Sequence, residues 1–285
     1  MLSVPFFPFM KHSLLPLTIS YIAAVSIVLY PMIASVYNAL IQSSLVAEYD
    51  DAVSQTTSEE VLQMLSDAQA WNAQLYTYVD ERYFPAGLTE TEIYESLLCV
   101  GDDGMMGYVS IPKIDVELPI YHGTDDETLQ KGSGHLEASA LPVGGESTHC
   151  VITAHRGLPT AVMFTHLDEM EIGDAFYLKV LGASLAYEVI EIREVEPEET
   201  QSLAAVEGED LCTLVTCTPY GINSKRLLVT GQRTEASEEA EEEEKDEGTG
   251  AVLQALRSNG MLAAAAGAET LVYLILLFHR RRQQF

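Results

Sequence analysis

The sequence predicts a mainly β protein: a closed β-barrel with short helices, preceded by a helical N-terminal region and flanked by transmembrane helices. Three observations predict it. Between about residues 106 and 234, short β-branched runs recur between Gly and Pro punctuation, namely GYVSIPKI, LPIYHG, CVITAH, AFYLKV, LAYEVIEI, LCTLVTC and RLLVTG, the texture of a closed or sandwiched sheet. Ahead of them, from about Val36 to Val79, the chain is rich in Ala, Gln, Leu and Glu, with Leu62, Leu65 and Ala68 at helical spacing behind Ser58. An apolar run lies toward each end.

Taken in order, residues 1–12 form a short N-terminal segment and 13–37 a membrane span. No formal charge occurs from Ser13 to Ala47, and Leu14 to Tyr37 exceeds the roughly 20 residues that cross a bilayer as a helix. Lys11 and His12 precede it, which favours a cytoplasmic N-terminus. A cleaved signal peptide is the alternative, although the apolar stretch exceeds a usual core of about 7–15 residues. Residues 38–105 then form a helical stalk with room for a lid, and 106–234 the barrel. Residues 235–252 are an acidic linker: Glu235 to Glu247 is nearly all acidic or small, so it reads as a self-repelling solvated spacer. It lacks the spaced, Gly-punctuated ligand order of a calcium loop. Residues 253–279 are expected to span the membrane a second time. Glu269 opposes this by about 2.5–3.5 kcal/mol at a bilayer centre, whereas His279 and Arg280 to Arg282 resemble a stop-transfer end, and 280–285 form a basic cytoplasmic tail. Two spans with both termini inside place everything between them outside the cell.

Composition excludes several functions. The chain has 285 residues, 47% of them hydrophobic, enough for one good-sized core. A formal charge of -28, from 43 acidic and 15 basic side chains, opposes docking of the whole chain on nucleic acid or an anionic surface. Four cysteines without a C-x-x-C pair or a Cys/His cluster predict no disulfide scaffold, no metal and no cofactor. Cys212 and Cys217 lie five apart in one expected strand, hence on opposite faces, and should not bond to each other.

Cys217 ends the run Leu211 to Cys217, and the turn Thr218 to Ser224 follows. The next strand begins with Lys225 and Arg226. If the two strands pair as a hairpin, thiol and guanidinium lie near each other across one ladder. A lone cysteine is usually a small buried hydrophobe, which is the expectation for Cys99, Cys150 and Cys212. Cys217 departs from it through its strand-end position beside a permanent cation that favours thiolate. His155 leaves the strand Cys150 to Ala154 and can aim its ring at a cleft. His122, His135, His149, His166 and His279 lack such a pairing and read as structural.

Thr213-Leu214-Val215-Thr216-Cys217 matches the T-L-x-T-C signature of sortases, and Arg226 falls where that family carries its arginine. Leu141 to His149, Ala154 to Pro159, and Phe164 to Tyr177 with Leu167, Gly173 and Asp174 resemble the segments around the family's histidine. The likeness runs from about Met106 to Arg233, and Thr216 to Ser224 is most similar to the class C, pilin-polymerising branch. Two positions depart from that branch. Lys225 stands where class C members usually carry His, and no Asp-Pro dipeptide is present to anchor a lid, for which Asp80, Tyr83 and Phe84 are the nearest candidates.

The resemblance implies a sortase-type barrel and a membrane-anchored cysteine transpeptidase on the outer face of a Gram-positive type cell membrane. It implies Cys217 as nucleophile, His155 as proton donor and Arg226 as oxyanion partner. The substrates would be pilin or surface proteins with an LPxTG-like sorting signal, cleaved through a thioacyl-enzyme and passed to an amine, a pilin lysine or, in the alternative, a cell-wall peptide. A non-catalytic anchored adhesin or scaffold is the reading from another class. A papain-like protease is disfavoured, since His precedes Cys and no C-G-x-C-W string occurs.

Overall fold

The computed structural model describes residues 15–79, 90–101, 103–235, 267 and 269–274. Helix α1 (Leu15–Gln55) is 41 residues long, about 60 Å at 1.5 Å per residue. Its first half leaves Ile19, Ile27, Ile33 and Tyr37 exposed, whereas its second half buries Ala39, Val46 and Tyr49. Among the described residues it is the helix long and apolar enough to cross a membrane, with a mean hydropathy of 2.0 over its most apolar window. The helix passes unbroken through residues 37 and 38, so the expected change from span to stalk is a change of surroundings and not of backbone. Residues 269–274 are helical and lie beside its start. Tyr21 stacks on Tyr273 at 4.0 Å between ring centroids and donates to Thr270 Oγ1 at 2.8 Å.

Helix α2 (Ser58–Val79) starts with a capping box. Glu60 N donates to Thr57 Oγ1, and Thr57 N donates to the Glu60 carboxylate at 3.0 Å, satisfying two N-terminal donors at once. Helix α2 packs Ala68, Met64, Leu65 and Trp71 against the barrel. Asn72 fastens it further, accepting from Leu141 N at 2.7 Å and donating to Leu141 O at 3.2 Å. Helix α3 (Glu90–Ser96) contributes the buried Tyr94.

Eight strands close the barrel: β1 (Met105–Ile111), β2 (Val116–His122), β3 (Ser133–His135), β4 (Thr148–Thr153), β5 (Ala175–Val180), β6 (Ala183–Val195), β7 (Asp210–Thr218) and β8 (Lys225–Arg233). They follow the order β1-β2-β3-β4-β7-β8-β6-β5. Seven of them fall on the runs read from the sequence. The short β3, Ser-Gly-His, carries no β-branched residue to signal it and is reached from β2 through helix α4 (Asp126–Lys131). The pairs β2 with β3 and β4 with β7 are parallel, and the remaining neighbours are antiparallel.

Alternation sorts the side chains. Cys150, Ile152 and Ala154 of the β4 segment, Cys212 and Leu214 of β7, and Leu227 and Val229 of β8 belong to the main core with Phe176 and Tyr187. At the inward position of Gly231 an added Cβ would stand 2.6 Å from the Phe176 ring, so glycine makes room for the aromatic. Val151, Val215 and Leu228 point the other way and form a second cluster with Val195, against which Leu136 and Leu203 pack.

His149 lies buried under this outer cover. Its Nδ1 bonds Ala204 O at 3.0 Å and its Nε2 bonds Thr213 Oγ1 at 2.7 Å, while Thr213 and Thr230 share a hydroxyl contact of 2.8 Å. The neutral tautomer with its proton on Nδ1 satisfies every atom: Nδ1–H donates to Ala204 O and the Thr213 hydroxyl donates to Nε2. Burial lowers the pKa of both His149 and His122. The unfolded chain therefore binds more protons below the ordinary value of about 6.5, and these two groups withdraw stability as pH falls through that value. Thermal melts are expected to show a lower Tm at pH 5 than at pH 7, with a weaker dependence in His149→Gln.

Candidate active site

Cys217 is the penultimate residue of β7 and projects from the outer face, opposite in sense to Cys212. It is half-buried. On one side its register partner is Arg226 of β8, so the hairpin expected from sequence forms with thiol and guanidinium on a single rung. On the other side the last rung between β4 and β7 joins Thr153 to Val215. The pairing continues as Ala154 N donates to Val215 O at 3.1 Å and Thr216 Oγ1 donates to Ala154 O at 2.8 Å. Continued two steps beyond Thr153 and Val215, the same register would bring His155 level with Cys217. By alternation Cys217 and Arg226 belong to the outer face, and the same alternation carried past the end of β4 would place His155 there too, with β7 between the other two segments.

The surroundings separate these residues from their chemical peers. Cys150 and Cys212 are buried rung partners inside the barrel, and burial pushes the Cys212 thiol well above its ordinary value. Cys99 donates to Glu95 O at 3.1 Å, and burial raises its pKa as well. The rings of His122, His135, His149 and His166 are all hydrogen-bonded, for example His135 to the Tyr94 hydroxyl at 2.8 Å and His166 to Glu169 at 2.7 Å. His155 is the histidine among the described residues whose ring has no such bond; its own carbonyl accepts from Phe164 N at 3.1 Å and closes the loop 156–163. The Arg226 guanidinium donates through Nη1 to Lys225 O at 3.1 Å. Brought together, a thiol can attack a carbonyl, an imidazolium can protonate a leaving group and a guanidinium can stabilise an oxyanion. His279 and the lid candidates Asp80, Tyr83 and Phe84 lie outside the described residues.

A family model described as the sortase domain matches residues 109–234. Sortase C1 of Streptococcus agalactiae is 39% identical, superposes with a TM-score of 0.64, and is covered over 100% of its chain by 68% of this one. This chain belongs to the sortase family. Sortase C of Streptococcus pneumoniae is 45% identical with a TM-score of 0.59, covering 68% of this chain and 97% of the other. Sortase D of Bacillus subtilis is 32% identical over 130 residues, 45% of this chain and 63% of that protein, so the chain spans somewhat under two thirds of that relative. The structural likeness is to class C sortases.

Within this sortase the signature threonines acquire physical roles. Thr213 joins β4 to β8 through His149 and Thr230, and Thr216 holds the carbonyl of the residue before His155. Sequence reading passed over Arg156. Its side chain is 7% exposed and pairs with Asp168. Nε donates to Thr165 O at 3.1 Å, Nη1 donates to Thr218 Oγ1 at 3.3 Å, and the guanidinium lies 5.9 Å from the Tyr220 ring centroid. It ties the residue after His155 to the residue after Cys217. The signal was an arginine next to the histidine with an acid twelve residues downstream, a pairing that needs the fold to be recognised.

Thr216→Val keeps the shape and removes one buried bond. It is expected to lower stability by about 1 kcal/mol, and Thr216→Ser is expected to restore it, as measured by denaturant unfolding.

Proposed function

We propose that this sortase is a membrane-anchored cysteine transpeptidase of the class C type. Cys217 serves as nucleophile, His155 as proton donor and Arg226 as oxyanion partner. The observation that supports the reading is the Cys217 to Arg226 rung, beside which β4, in step with β7 as far as Thr153 opposite Val215, leads into His155. The Cys217 thiolate attacks the Thr carbonyl of an LPxTG-like motif. Charge gathers on the carbonyl oxygen, where the Arg226 guanidinium meets it. As the Thr–Gly C–N bond breaks, the His155 imidazolium gives its proton to the departing amine, leaving a thioester on Cys217. An incoming amine then attacks the thioester, loses its proton to His155, and releases the Cys217 thiolate with a new amide bond.

The acceptor in this proposal is a pilin lysine. Supporting it are the likeness to class C sortases and the description of the Streptococcus pneumoniae relative in terms of pilin substrate specificity. Attachment to a cell-wall peptide is the competing outcome. Helix α1 anchors the enzyme with the barrel outside the cell. The contacts Thr18 to Tyr273 and Tyr21 to Thr270 advance along one helix as they retreat along the other, the pattern of an antiparallel partner, which favours a second span. A lid built on Asp80, Tyr83 and Phe84 is also proposed.

Full-length enzyme incubated with an LPxTG-like peptide is expected to gain the mass of the acyl fragment, and Cys217→Ala to gain none. His155→Ala and Arg226→Ala are expected to slow acylation by about 10²-fold or more. Normal turnover in Arg226→Ala would remove its assigned role. Supplying pilin and wall-peptide amine together, with products resolved on a gel, distinguishes polymerisation from wall attachment.

A further inference from the structure

We infer that the loop joining β7 to β8 rests in the interfacial layer of the bilayer that α1 crosses, so that the Cys217 end of the barrel faces the lipid headgroups. The inference rests on the reading of α1 as a membrane span and adds an orientation to it. The partner of this surface is the membrane itself.

The depth of the barrel follows from α1. The apolar run Leu15 to Tyr37 rises about 35 Å as a helix, against a hydrocarbon core of about 30 Å. Tyr37, 62% exposed, therefore sits at the outer boundary, where aromatic residues anchor spans. The very next residue already holds the barrel: Asn38 Nδ2 donates to Thr160 O at 2.8 Å, and Ser35 one turn earlier is buried. No spacer separates the lipid boundary from the catalytic domain.

The point of attachment also fixes which rim is lowest. Thr160 belongs to the loop that leaves β4 through His155. Further along α1, Tyr49 donates to Met106 O at 3.0 Å and accepts from Leu181 N at 2.9 Å. Val53 lies against Gly182, where an added Cβ would be 3.4 Å from its side chain. Through the ladder β1 runs in the same sense as β4 and β7, so its start near Met106 belongs to the rim opposite their ends. The helix thus crosses the wall from the His155 loop to the far rim, and its membrane half departs beside the ends of β4 and β7.

The chemistry of that rim suits an interface. Gly157, with φ +77°, lies under the Tyr220 ring, and a Cβ there would stand 3.1 Å from it. The β7–β8 loop is therefore in contact with the loop that Asn38 holds at the boundary. Beyond that contact Tyr220 is 60% and Ile222 71% exposed, while Lys225 pairs with Glu196 at 3.7 Å. An amphipathic aromatic and an aliphatic tip are what the headgroup layer accepts. The net charge of -28 does not prevent this, because the span makes the contact intramolecular. A thiol at this height meets polypeptides a few residues from where they leave the bilayer.

The test is tryptophan depth measurement on the full chain in nanodiscs, compared with the parent that carries Trp71 alone. Ile27→Trp, Ile222→Trp and Val206→Trp are each quenched with lipids brominated near the glycerol end or near the methyl end of the acyl chain. Val206, 49% exposed, accepts from Glu209 N just before β7 starts and so belongs to the rim opposite Cys217; expected are deep quenching for Ile27→Trp, shallow quenching with a blue-shifted emission for Ile222→Trp, and none for Val206→Trp. Deep quenching of Ile27→Trp with a water-like, unquenched Ile222→Trp overturns the orientation and leaves the span intact. Equal quenching of Ile222→Trp and Val206→Trp also overturns it, placing the barrel on its side. An unquenched Ile27→Trp removes the span and the inference with it.

Discussion

Parallel pairing of β4 with β7 is the constraint from which the site follows. An antiparallel neighbour would send the histidine segment to the far rim, whereas parallel rungs from Thr148 opposite Asp210 to Thr153 opposite Val215 carry both strands to the same end in step. The register cannot slip by one residue without turning Cys150, Ile152, Cys212 and Leu214 out of the core. Burial of the interior therefore fixes the level at which His155 and Cys217 leave the sheet. The polar groups of the signature add to that constraint: Thr216 seals the Ala154 carbonyl and Thr213 bridges two strands through His149.

The helices outside the barrel serve the same end by different means. Helix α1 contributes Tyr49, whose hydroxyl lies between Met106 O and Leu181 N and whose pKa burial raises to about 12. Such a group stays a neutral donor and acceptor across the physiological range and joins the starts and turns of three strands. Helix α2 meets the barrel through an amide pair between Asn72 and Leu141, and α3 supplies Tyr94, which bonds His135 inside. Each contact satisfies a backbone or imidazole group that burial would otherwise leave unpaired.

Much of this was legible in the sequence because β-branched runs and turn residues act locally. Seven strands announced themselves in that way; β3 did not, since Ser-Gly-His is held by its neighbours and not by propensity. The boundary drawn at residue 37 followed hydropathy, which changes there, while the backbone of α1 does not. At the site, Cys217 and Arg226 could be paired from a strand, a turn and a strand, because a hairpin is a short-range object. Arg156 could not be read: an isolated arginine looks like a surface cation, and its burial depends on Asp168, Thr218 and Tyr220 arriving from elsewhere.

The central place of β7 has a mechanical consequence. The strand is bonded along its length on both sides, by six rungs to β4 and eight to β8. In the proposed polymerising role, cargo hangs from the sulfur of Cys217, one residue from the end of β7, and can draw the strand along its axis. Tension in that direction loads all fourteen pairings at once in shear, where an edge strand would unzip bond by bond. In the proposed transpeptidase, the one covalent bond to the acyl chain is thus rooted in the part of the sheet best able to resist drag.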